Sequence, residues 1–121
     1  MSCNLSEQPT TVAFHYPQPN EMDHKRIVRG IEDRKRYRYV TPQVKTTANG
    51  YLITSPCCSR NIDPAGGEID IALLEYSHSE RNWHLFRKDH GQGQWVLHAD
   101  YVSLPPILAL LREDPERSFW Q

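Results

Sequence analysis

The apolar positions of this chain change period along its length, and the changes mark the elements. Over residues 21 to about 34, His24, Ile27, Val28 and Ile31 fall at i, i+3, i+4 and i+7, the spacing of one helix face. Asn20 is a suitable cap for that helix, and Glu21 and Asp23 suit its positive end. From Lys35 the period becomes two, with Tyr37 and Tyr39 on one face and Arg36 and Arg38 on the other. Residues 44–48 and 51–54 then flank Asn49-Gly50. That pair suits the two positive-φ positions of a type I′ turn, so a β-hairpin is predicted here.

Residues 69–76 are apolar on both faces, which predicts the most buried strand. Two further strands carry a shared Trp-x-Leu pattern, which points Trp83, Leu85, Trp95 and Leu97 inward. A turn centred on Gly91 sets Leu85 opposite Leu97 and His84 opposite His98, keeping the apolar set on one face. Ser103 opens a last helix whose stripe is Leu104, Ile107, Leu108 and Leu111. Pro105 and Pro106 are tolerated in its first turn, where backbone donors have no helical partner. Pro115 ends it, and Phe119 and Trp120 either return to the body as a lid, the favoured reading, or present an anchor to a partner. The predicted fold is α+β: an antiparallel β-meander of about five strands with an N-terminal and a C-terminal helix. Residues 1–20, with Pro9, Pro17 and Pro19, read as an extended or disordered arm, in which residues 12–16 are a candidate edge strand. Residues 21–121 read as a single domain.

Composition narrows the function classes more than it selects one. A chain of 121 residues with a net charge of -1 has no global charge to direct it to a polyanion or a polycation. Residues 1–10 lack the basic-then-apolar pattern of a signal peptide. The longest apolar stretch, residues 107–111, is too short to span a bilayer. Cys3, Cys57 and Cys58 are an odd set with one adjacent pair, unlike a disulfide framework. A cytoplasmic protein with no membrane association is expected, with its oligomeric state open.

The C-terminal half resembles a bacterial family of uncharacterised proteins, domain of unknown function 3024. The resemblance rests on Ile71-Ala72-Leu73-Leu74-Glu75-Tyr76, Trp83-His84-Leu85-Phe86 and Trp95-x-x-His98. It continues through the Leu-rich helix of residues 104–111 and the Asp114-Pro115…Phe119-Trp120 end. It implies the fold and carries no activity, cofactor or site residue.

Three surfaces carry candidate chemistry. The loop of residues 55–68 is longer than a hairpin needs. Its Cys57 and Cys58 are candidate thiol nucleophiles or soft-metal ligands, although adjacent cysteines are a poor zinc pair. Its Arg60, Asn61, Gly66 and Gly67 are a candidate cradle for an anion or small ligand. A basic run follows the first helix face: Lys25 and Arg26, then Arg29, Arg34, Lys35, Arg36 and Arg38 as a candidate patch for an anionic partner. His84 and His98, if opposed across two strands, are a weak candidate pair for a metal. No sequence constellation joins a nucleophile, a base and an orienting group, so no catalytic residue and no cofactor are predicted. The expected function is that of a non-catalytic binding or accessory protein engaging a protein partner or an anionic ligand. The alternatives are a small thiol- or metal-dependent enzyme using the Cys57-Cys58 loop, and a nucleic-acid binder using the basic run.

Overall fold

The structure, a computed structural model, describes residues 17–58, 62 and 65–121. The arm through residue 16, Cys3 and the candidate edge strand of residues 12–16 lie outside the described residues, as do Arg60 and Asn61. Helix α1 spans Glu21–Glu32. Its cap is as expected: the Asn20 side chain accepts from the Asp23 amide at 2.8 Å, and Glu21 and Asp23 occupy the first turn. Residues 17–20 are tied to the body, because the Tyr51 hydroxyl donates to Gln18 Oε1 at 2.8 Å and accepts from the Asn20 amide at 2.8 Å.

Five antiparallel strands follow in sequence order: β1 (Gln43–Thr46), β2 (Gly50–Pro56), β3 (Glu68–Ser77), β4 (Asn82–Asp89) and β5 (Gln94–Tyr101). Helix α2 (Leu104–Glu113) closes the chain's regular structure. The α+β meander with a helix at each end is therefore the observed architecture. β3 is the central strand, and its Ile69, Ile71, Ala72 and Leu74 are buried. They share one core with Ile27 and Ile31 of α1, Tyr51 and Ile53 of β2, Trp83 and Leu85 of β4, and the α2 stripe Leu104, Ile107, Leu108 and Leu111. Both helices thus cover one face of the sheet. They approach closely enough that a Cβ on Gly30 would lie 2.9 Å from Leu108 Cδ1.

Three local expectations are corrected. The segment after α1 is not a strand. The buried Arg34 guanidinium gathers the carbonyls of Ile31, Tyr37 and Val40 at 2.9, 2.6 and 2.5 Å, which folds the segment into turns. Tyr37 there has φ 58°, outside any strand conformation. The first hairpin exists, but Asn49-Gly50 is not its positive-φ pair. The strands pair Thr46 with Tyr51, and Gly50 already belongs to β2. Glycine is required at position 50 because a Cβ would stand 1.9 Å from the Leu74 carbonyl oxygen of the neighbouring strand.

The third correction is the register of β4 and β5. The connection runs over residues 90–93, with Gly93 at φ 67°. A bulge between Leu85 and Phe86 makes His98 the extra residue of β5. Leu85 therefore faces Ala99, and His84 faces Asp100. Leu97 falls on the outer face, 50% exposed, opposite Phe86. Trp95, opposite Lys88, lies beneath the Lys88 ammonium, 4.8 Å from the ring centroid. Only Trp83 and Leu85 of the Trp-x-Leu set point into the core.

The C-terminal segment docks as predicted. Asp114, the C-cap of α2, adopts a left-handed conformation at φ 36°. Its buried carboxylate accepts from the amides of Ser118, Phe119 and Trp120 at 2.8, 3.2 and 2.8 Å. That turn drives Phe119 and Trp120 into the core, where both are fully buried. The indole N–H of Trp120 donates to the Leu111 carbonyl at 2.8 Å.

Candidate functional site

The basic run does not form one surface. Burial of Arg34 lowers its pKa, and its guanidinium is committed to three backbone carbonyls and the Trp120 ring, 5.2 Å from the centroid. Arg36 donates to the carbonyls of Asp114 and Pro115. Lys35 pairs with Glu113 at 2.8 Å on the surface. Arg34 and Arg36 are therefore removed from the anionic patch, since their donors hold the C-terminal turn and the post-helix turn in place. Lys35 has a carboxylate already. Arg38 lines a shallow depression with Glu32 on another side of α1. Arg29 alone of the five joins a different arrangement.

That arrangement is a groove along the junction of α1 and α2. It consists of two depressions of about 530 and about 430 Å³ that share Arg26, Leu104 and Pro105. Arg26 and Arg29 come from one face of α1, Arg112 from the end of α2, and Arg81 from the turn joining β3 to β4. The floor is apolar: Leu108 and Leu104 of α2, and Trp83 of β4. Met22 and Val102, 59% and 84% exposed, stand on its rim. Asp23 is the acid of this groove, and it is already engaged by Gln18, Asn20 and Arg26. The guanidiniums of Arg29, Arg81 and Arg112 meet no carboxylate among the described residues. Sequence reading missed Arg81 and Arg112, because they lie far along the chain from the basic run. The usable signal was the i, i+3 spacing of Arg26 and Arg29, which puts both on one helix face.

The other candidates separate. His84 and His98 do not pair. The His84 ring meets Asp100 at 2.5 Å through Nδ1 and Glu80 at 3.1 Å through Nε2. The hydrogen bond to Asp100, with Glu80 adding to it, raises the imidazole pKa above its ordinary 6.5. The two carboxylates occupy opposite ring nitrogens, so the three groups do not converge on a point. His98 instead lies edge-on to Phe119, with centroids 5.0 Å apart. No group of three His, Cys, Asp or Glu side chains able to hold a metal occurs among the described residues.

The β2–β3 loop closes on itself, the Cys57 amide donating to the Gly67 carbonyl at 2.8 Å. Cys57 packs half-buried against the core, Cys58 is exposed, and Gly66 and Gly67 are exposed. Gly66 has φ 74°, a turn conformation suited to glycine. The Tyr37 hydroxyl donates to the Gln121 carbonyl, and burial pushes its phenol up.

No helix among the described residues is long and apolar enough to cross a membrane. No curated protein and no solved structure matches the chain. A family model, by contrast, matches residues 16–121, from the approach to α1 to the last residue, so the family likeness extends well beyond the C-terminal half. The chain belongs to the family described as domain of unknown function DUF3024.

Proposed function

We propose that this domain is a non-catalytic binding module that takes an anionic partner, a protein segment or a smaller anion, in the arginine-lined groove between α1 and α2. The observation that carries this reading is the set Arg29, Arg81 and Arg112. These are cations from three elements that form no ion pair among the described residues, Arg81 lining one of the two adjoining depressions and Arg29 and Arg112 the other. Gathering like charges in a folded chain of net charge -1 costs free energy through repulsion, and an external anion offsets that cost. Guanidiniums also suit the task, because their fixed donor fork matches carboxylate and phosphate oxygens. The cysteine usage fits a reducing compartment, and we place the module in the cytoplasm.

The test is a titration with polyglutamate and with inorganic polyphosphate at low ionic strength, read by calorimetry and by the shift in Tm. At least one polyanion should bind, weaken as salt rises, and lose roughly tenfold or more in affinity, about 1.4 kcal/mol, in the Arg29→Glu, Arg112→Glu double variant. If neither polyanion binds wild-type protein at low salt, or if the double variant binds as well as wild type, the reading is wrong.

A further inference from the structure

Resting on that reading, we infer that the groove's occupant is an acidic amphipathic segment of a partner protein, with two apolar side chains about one helical turn apart. The cations make the rim and the apolar groups make the floor, so the site is built for a ligand that carries both chemistries. Leu104 and Leu108, on successive turns of α2 and only 6% and 9% exposed, close the floor from beneath about 6 Å apart. The same spacing separates i and i+4 side chains of a bound helix, the usual register of helix-in-groove recognition. From Leu104 to Arg112 the groove wall runs about 12 Å, two helical turns. Met22 and Val102 extend the apolar surface past one end, where both side chains are largely exposed. Arg26 and Arg29 on one wall and Arg112 and Arg81 at the ends place cations around this floor, where an acidic helix carries its carboxylates.

The alternatives fit the surface less well. A single-stranded nucleic acid is held by aromatic faces on which its bases stack, but of the two rings lining the groove Trp83 is only 4% exposed and Tyr76 is half-buried with its ring set against Trp83. Tyr39, fully exposed, is not among the groove's residues.

The experiment compares probes on the intact chain by fluorescence anisotropy at low salt. The first probe is a roughly twelve-residue helical peptide with Leu at i and i+4 and Glu on the flanks. The others are its Leu→Ala counterpart, a single-stranded oligonucleotide, and vesicles of phosphatidylglycerol and phosphatidylcholine. The Leu peptide should bind at least ~10-fold tighter than the Ala peptide. Val102→Asn, which adds no charge, should shrink that difference, the Leu peptide losing more affinity than the Ala peptide. Arg81→Gly should weaken both peptides without loss of fold, because Arg81 has φ 57° and glycine tolerates that conformation better. Equal, arginine-dependent binding of the two peptides overturns the amphipathic occupant and leaves the anion reading standing. Tighter binding of the oligonucleotide or the vesicles than of the Leu peptide overturns it too. If neither peptide binds while polyglutamate or polyphosphate does, the amphipathic occupant falls and the anion reading stands; if those polyanions fail as well, both fall.

Discussion

Asp114 shows how much one side chain organises here. Its residue sits at φ 36°, its amide donates to Leu110, and its carboxylate holds the backbone of residues 118–120. Both carboxylate oxygens accept from backbone amides. An asparagine tolerates the left-handed backbone but sets an N–H₂ against one of those amides whichever way it is turned. Asp114→Asn should therefore cost about 3 kcal/mol in urea unfolding. A loss under about 0.5 kcal/mol would show that the carboxylate does not hold the turn. His84 is a second residue-scale case, with the sign set by its raised pKa. The folded state binds the imidazole proton more tightly than the unfolded chain does. The stabilisation is thus fully present below the ordinary value of 6.5 and fades as pH rises through the higher folded value. An NMR titration should place the His84 midpoint above 6.5, and Asp100→Asn should bring it down. A wild-type midpoint at or below 6.5 would exclude the Asp100 pairing in solution.

At the scale of elements, periodicity located α1, α2 and the five strands, because burial of one face imposes a repeat of 3.6 or 2 on the residues themselves. It failed where a single contact overrides the repeat. Tyr37 and Tyr39 alternate like strand residues, yet Arg34 pulls that segment into turns by gathering its carbonyls. Trp95 and Leu97 echo Trp83 and Leu85, yet the bulge at His98 reverses their facing, since each one-residue shift of register moves a side chain to the other side of the sheet. The two faces can be told apart by substitution. Leu85→Ala should cost about 2–5 kcal/mol, as for any buried leucine. Leu97→Lys should change stability by less than about 1 kcal/mol, as an exposed position allows. A larger loss at Leu97 would restore the inward register.

The whole molecule decides the site. The groove draws on α1, the β3–β4 turn and α2, and it exists because both helices pack on the same face of the meander with Gly30 against Leu108. The core that supports it is closed by Phe119 and Trp120, whose docking depends on Asp114. The basic run, by contrast, looked continuous in one dimension and is divided in three. Arg34 and Arg36 brace the fold, Lys35 is paired, Arg38 lies elsewhere, and Arg29 faces the groove.

What the sequence determined by itself is what local periodicity and caps encode: the α+β class, the order of the elements, the Asn20 cap, the α2 stripe and the inward return of Phe119 and Trp120. These follow from patterns within a few residues, where helix and strand geometry relate spacing directly to facing. Tertiary structure alone decided the β4–β5 register, the need for glycine at position 50, the role of Arg34 and the company Arg29 keeps. Each depends on atoms from strands or helices distant in the chain: the Leu74 carbonyl, the Trp120 ring, the floor provided by Leu104 and Leu108. A charge reads the same in sequence whether it is spent on a backbone carbonyl or left facing a groove, and only its neighbours in space settle which.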